Sequence, residues 1–173
     1  MTVGHSTRAP GELEQLLLAH GVELLVDVRA HPGSRRMPQF GREPLERSLA
    51  AAGIEYAHVA ELGGRRRPVP ESPNEGWTND QFRGYADHMA SAEFDRGLAW
   101  LEEAAARRRA CVMCAEAPWW RCHRRLLADV LVVRGWSVRH IGVGEPAPHE
   151  LTEFAVSEGS RIVYPRRQRS LDV

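Results

Sequence analysis

Ala110-Cys111-Val112-Met113-Cys114-Ala115-Glu116-Ala117-Pro118-Trp119-Trp120-Arg121-Cys122-His123-Arg124-Arg125-Leu126-Leu127-Ala128-Asp129-Val130-Leu131 reads as a buried strand, a polar loop and an amphipathic helix. The apolar run to Cys114 has the length of a strand, and Pro118 keeps the residues beyond it from continuing in regular structure. Leu126, Leu127, Val130 and Leu131 recur at helical spacing and make one buried stripe. Strand, loop and helix in that order are the unit of an open, mostly parallel sheet.

The same unit recurs outward in both directions. A short strand ends near Gly4, and Pro10 opens a helix through His20 that Gly21 stops. Glu23 to Val28 is a second strand, residues 42–52 a helix closed by Gly53, and Ile54 to Val59 a third strand. Helices are expected over about 79–89, 93–108 and 122–134, and Ser137 to Ile141 is the last strand. The expected fold is α/β, one domain with an open, mostly parallel sheet of about five strands and helices on both faces. That domain spans residues 1–145, and residues 146–173 form a peripheral helix and an arginine-rich tail. Gly63, Gly64, three arginines and three prolines make residues 62–77 a long mobile loop in this reading.

All 23 basic residues are arginine, and the 23 acidic residues balance them to a formal net charge of zero. Without lysine, Schiff-base chemistry, a pyridoxal phosphate anchor and a phosphate-binding P-loop are excluded. Net neutrality argues against coating nucleic acid by bulk charge, although local arginine clusters remain at 65–67, 107–109, 121–125 and 166–169. No apolar run is long enough to span a bilayer, and three cysteines without a framework pattern fit a reducing cytoplasm.

Ligands of open parallel sheets bind beyond the carboxyl ends of the strands. The first strand ends in His5-Ser6-Thr7-Arg8, the second in Asp27 and Arg29, and the central one in Cys114 and Glu116, with Cys122, His123 and Arg124 opening the next helix. Alternation turns Cys111 to the opposite face from Cys114, into the core. A duller reading makes His5 a structural histidine, Ser6 or Thr7 a cap, and Asp27 with Arg29 a buried pair.

Gly4-His5-Ser6-Thr7-Arg8, Leu25-Val26-Asp27-Val28-Arg29, Ser34-Arg35, Pro38-Gln39-Phe40, Leu62-Gly63-Gly64-Arg65, Phe82-Arg83-Gly84-Tyr85, Met113-Cys114-Ala115-Glu116 and Cys122-His123-Arg124 resemble, in order, the family known as domain of unknown function 488. The resemblance covers residues 1 to about 145 and implies that His5, Arg8, Asp27, Arg29, Arg35, Glu61, Arg65, Cys114, Glu116, Cys122, His123 and Arg124 share one pocket. Some members carry descriptions pointing to DNA repair. A partial likeness to rhodanese-like and cysteine-phosphatase folds stops at the loop, which lacks the glycines of an anion nest and carries Glu116, Trp119 and Trp120.

The first functional reading is a thiol-dependent enzyme, a cysteine hydrolase or transferase. Cys114 or Cys122 is the nucleophile and His123 or Glu116 moves the proton. His5, Ser6, Arg8, Asp27, Arg29, Arg35, Arg65 and Arg124 line the pocket for an anionic, nucleotide-like or nucleic-acid ligand, with Trp119 and Trp120 stacking on its ring. This reading needs no cofactor. The first alternative is a zinc or iron site built from Cys114, Cys122 and His123 with His5 or Glu116. The others are a nucleic-acid-binding module without catalysis and a redox switch between Cys114 and Cys122.

Overall fold

The structure is a computed structural model that describes residues 1–33, 36–142 and 144–166. Its main elements follow the expected order: β1 (Thr2–Gly4), α1 (Glu12–Ala19), β2 (Leu24–Asp27), α2 (Arg42–Ala51), β3 (Glu55–His58), α3 (Asp80–His88), α4 (Ala92–Arg107), β4 (Ala110–Cys114), α5 (Arg124–Val133) and β5 (Arg139–Ile141). β1 to β5 are parallel and lie in the order β3-β2-β4-β1-β5. A two-residue strand, β6 (Ala147–Pro148), adds an antiparallel sixth member at the β5 edge.

Helices cover both faces because the central strands are apolar on both. Leu25, Cys111 and Met113 pack with Leu13 and Leu17 of α1 and Leu45 and Leu49 of α2. Leu24, Val26, Val112 and Cys114 point the other way, toward Tyr85, Phe94, Leu98, Leu126 and Leu127 of α3, α4 and α5. Period-two alternation along Cys111 to Cys114 therefore separates the two cysteines as the sequence reading expects.

Two expectations are corrected. No helix occurs among described residues 146–166. Past β6 the chain forms a hairpin of β7 (Val156–Glu158) and β8 (Arg161–Val163) turning on Gly159. Residues 62–77 are tied down rather than mobile. Arg66 pairs with Glu93 at 2.9 Å, and Asp87 accepts from Val69 N, Ser72 Oγ and Asn74 Nδ2. Asn74 Oδ1 and Gly76 N bond the backbone of Tyr164, and Trp77 is buried between Phe82, Phe154 and Tyr164. Proline and glycine forbid regular structure here, but side chains satisfy the backbone instead.

The last segment is held by one buried carboxylate. Asp129 on α5 accepts from His149 Nε2 at 2.8 Å, Thr152 N at 2.9 Å and the Tyr164 hydroxyl at 2.8 Å. Removing the carboxylate strands three buried donors, so Asp129→Ala should cost about 3–5 kcal/mol, against about 1–2 kcal/mol for Tyr164→Phe. Urea denaturation of the two variants would measure both, and equal losses would contradict this accounting.

Candidate functional site

The carboxyl ends of β1, β2 and β4 meet because their register aligns them: Gly4 is opposite Cys114 and Asp27 opposite Met113. Gly4 allows the close approach, since a Cβ there would lie 1.9 Å from the Glu116 carbonyl oxygen. A single turn at Trp119–Arg121 then returns the chain so that Cys122, still extended, and His123, the residue before α5, face Cys114. The helix starts at Arg124, not at Cys122 as the sequence pattern suggests.

Cys114 Sγ, Cys122 Sγ and one nitrogen of His123 all lie within 4.8 Å of one another. That nitrogen is Nδ1, at 3.9 Å from Cys114 Sγ and 3.6 Å from Cys122 Sγ. The other, Nε2, is 3.1 Å from the Val28 carbonyl oxygen. A carbonyl only accepts, so Nε2 carries a proton and Nδ1 is the nitrogen that faces both sulfurs. Both cysteines are buried, and the ring is walled by Tyr85 at a centroid distance of 4.9 Å. Gly64 closes the other side, where a Cβ would sit 2.7 Å from Nδ1.

The two thiols differ in electrostatics. The nearby Cys114 thiol, together with His123 and Arg124, pulls Cys122 well below the usual thiol range against the effect of burial. The Cys122 thiol, with burial, pushes Cys114 well above it.

The remaining candidates do not join the trio. Glu116 is exposed, and it is its backbone carbonyl that receives the Arg124 guanidinium. His5 stacks on Phe40 at 4.3 Å, donates from Nδ1 to Ser6 O, and takes a 3.3 Å contact from Arg29 at Nε2. Burial lowers its pKa to about 4. Asp27 and Arg29 form the buried pair of the duller reading, at 2.6 Å, and Arg29 also reaches Phe40 O. Arg8 folds back on Gly4 O. Ser6 sits in a turn at φ 51°, Arg65 is exposed at φ 62°, and Arg35 lies outside the described residues. Trp119 lies flat on His140 at 4.0 Å, so that face is not open to a base, whereas Trp120 is 54% exposed.

Sequence reasoning missed a second buried array. Arg124 donates to Thr2 Oγ1 at 3.4 Å, Thr2 reaches His140 Nδ1 at 2.7 Å, and His140 Nε2 meets His149 Nδ1 at 2.9 Å. His149 then bonds Asp129. Burial, with His149 and Arg124 nearby, lowers the His140 pKa to about 3. Its members are scattered from residue 2 to residue 149; the one readable signal was two histidines nine residues apart.

Two layers of helix about a mostly parallel sheet, with a cysteine-histidine trio at the strand ends, define an α/β protein with a buried cysteine-histidine cluster. The family model for "Domain of unknown function DUF488" matches residues 11–131, and the chain belongs to that family. No curated protein and no solved structure matches the chain, so the likeness to rhodanese-like folds finds no matched structure.

His5 and His140 are held neutral by folding, with pKa values below the unfolded value of about 6.5. The unfolded chain therefore binds more protons, and stability falls as pH drops from about 6.5 toward 4. Near pH 5 these two rings should contribute a slope of ~2.5 kcal/mol per pH unit. Denaturant unfolding at a series of pH values tests this, and His140→Gln should flatten the slope.

Proposed function

We propose that Cys114, Cys122 and His123 form a metal centre for zinc or iron. The carrying observation is the convergence of two sulfurs and one imidazole lone pair on a single point. A tetrahedral ion with metal–sulfur bonds of about 2.3 Å and metal–nitrogen bonds of about 2.0 Å separates sulfur from nitrogen by about 3.5 Å. The distances here are 3.6 and 3.9 Å. The Val28 carbonyl supplies the outer hydrogen bond that a metal-binding histidine needs on its second nitrogen. His5 stands apart from the trio, so among the described residues the centre has three protein ligands and one position left over.

A three-ligand site with an open position is the catalytic kind, and a bound ion would supply Lewis acidity there. The chain's own residues hold the ligands: Val28 orients the ring, while Tyr85 and Gly64 wall it. Exposed Arg65, Arg67, Arg121 and Trp120 on neighbouring segments suit an anionic or nucleotide-like ligand better than the internally engaged Arg8, Arg29 and Arg124. Three free thiols fit a reducing, cytoplasmic setting.

Protein purified without a polyhistidine tag should carry about one zinc or iron ion per chain, lost in Cys114→Ser and in Cys122→Ser. Because ligands must shed protons to bind, affinity should fall as pH is lowered. Elemental analysis of wild-type chain showing less than about a tenth of an ion, even after incubation with zinc, would overturn the reading.

The opposed electrostatics of the thiols favour a second reading, a thiol enzyme with Cys122 as nucleophile. It expects iodoacetamide to label Cys122 well before Cys114 in metal-free protein at neutral pH. Equal, slow labelling of both would count against it.

A further inference from the structure

We propose that Asp27 and Arg29 are positioning residues for the Cys114–Cys122–His123 centre, acting through the Val28 carbonyl between them. The inference rests on the reading of that trio as a metal centre and concerns what aims its histidine. An imidazole on a single side-chain stem can turn, and whichever nitrogen faces the sulfurs decides whether a ligand set exists. The outward bond to Val28 O makes that choice.

Val28 has no polar side chain, so its carbonyl direction must be set by its neighbours. Its own N–H donates to Met113 O at 3.0 Å, fixing the preceding peptide to β4. On the other side the chain is buckled across a single residue. Asp27 accepts from Arg29 N at 3.0 Å, from Nε at 2.9 Å and from Nη2 at 2.6 Å. The buckle is pinned at three further points. Tyr56 donates its hydroxyl to Asp27 Oδ2 at 2.8 Å, Arg29 Nη1 donates to Phe40 O at 2.8 Å, and His58 Nε2 donates to Arg29 O at 2.9 Å.

Asp27 is 0% and Arg29 6% exposed. Burying such a pair is a weak source of stability, since desolvation offsets much of the attraction. Here the pair closes over the very peptide whose oxygen meets His123, which gives the arrangement a use that stability alone does not supply. Neither residue touches the ligand atoms, so each acts through the backbone.

The experiment reads two quantities in wild type, Asp27→Asn and Tyr56→Phe. The first is the His123 tautomer in metal-free chain, from imidazole nitrogen chemical shifts. The second is cobalt(II) affinity, with the near-ultraviolet thiolate-to-cobalt band as its signature. Tyr56→Phe removes one hydroxyl from a half-buried position and keeps the test available where Asp27→Asn fails to fold. We expect mixed tautomers in the variants and cobalt binding weakened about 10-fold or more. A merely structural pair would lower the melting temperature and leave tautomer and affinity unchanged, and that result overturns the proposal. Wild type that binds no cobalt, beside variants with altered tautomer, would overturn the metal reading and leave the positioning role standing.

Discussion

A buried cation must be answered from within, and the Arg124 guanidinium is the charge around which this molecule is arranged. It is 1% exposed, and among the described residues no carboxylate forms an ion pair with it. Leaving a charge so buried without partners would cost several kcal/mol, on the order of the whole stability of a domain. Instead the carbonyls of Glu116 and Ala117 turn inward to it, which bends the loop after β4 back toward the sheet. That bend brings Cys122 and His123 over Cys114. On its other side Arg124 meets Thr2, and a line of hydrogen bonds through His140 and His149 carries the polarity to Asp129. The carboxylate that balances the cation is thus reached through two rings rather than by contact.

The Asp129 carboxylate at the end of that line ties the last segment to the fold. His149, Thr152 and Tyr164 all lie beyond β5, yet each terminates on Asp129 of α5. Tyr164 in turn bonds Asn74 and Gly76 through its backbone, so the segment also pins residues 62–77. Those residues carry Gly64 against the His123 ring. Packing of the site's outer wall therefore depends on chain segments far from it in sequence, as expected when a long connection lacks secondary structure of its own.

Much of this was legible locally and little of it globally. Alternation along Ala110 to Cys114 correctly separated Cys111 from Cys114, because a strand's period is fixed by backbone geometry. The glycines at 21, 53 and 135 correctly closed three helices, each at positive φ. The nearness of Cys114, Cys122 and His123 followed from a loop of only seven residues between the two cysteines. Residues 146–173, by contrast, read as a peripheral helix and an arginine-rich tail. Residues 167–173 lie outside the described residues, and described residues 146–166 form strands and no helix. Their structure is set by Asp129 and Asn74, whose bonds to the segment span 20 to 90 residues and leave no local periodicity. Arg124 and Arg29 looked like anion holders since an arginine at a strand or helix end has the same signature whether it faces a ligand or the interior. Only burial separates the cases.

That separation changes the chemistry the site can support. A pocket for a phosphate needs several unpaired donors aimed at one empty point. Here Arg8 ends on Gly4 O, Arg29 on Asp27 and Phe40 O, and Arg124 on Glu116 O, Ala117 O and Thr2. Most of their donors are spent on holding loops in place, and among their buried donor atoms only Arg124 Nε lacks a partner. What converges is electron pairs, two sulfurs and one nitrogen, walled by a tyrosine and a glycine. Lone pairs crowded into a buried space need protons or a cation among them, and the thiols can supply protons of their own. Thiol protons can bridge that geometry only through long, weak sulfur contacts, whereas the divalent ion proposed for this point would engage all three atoms at once.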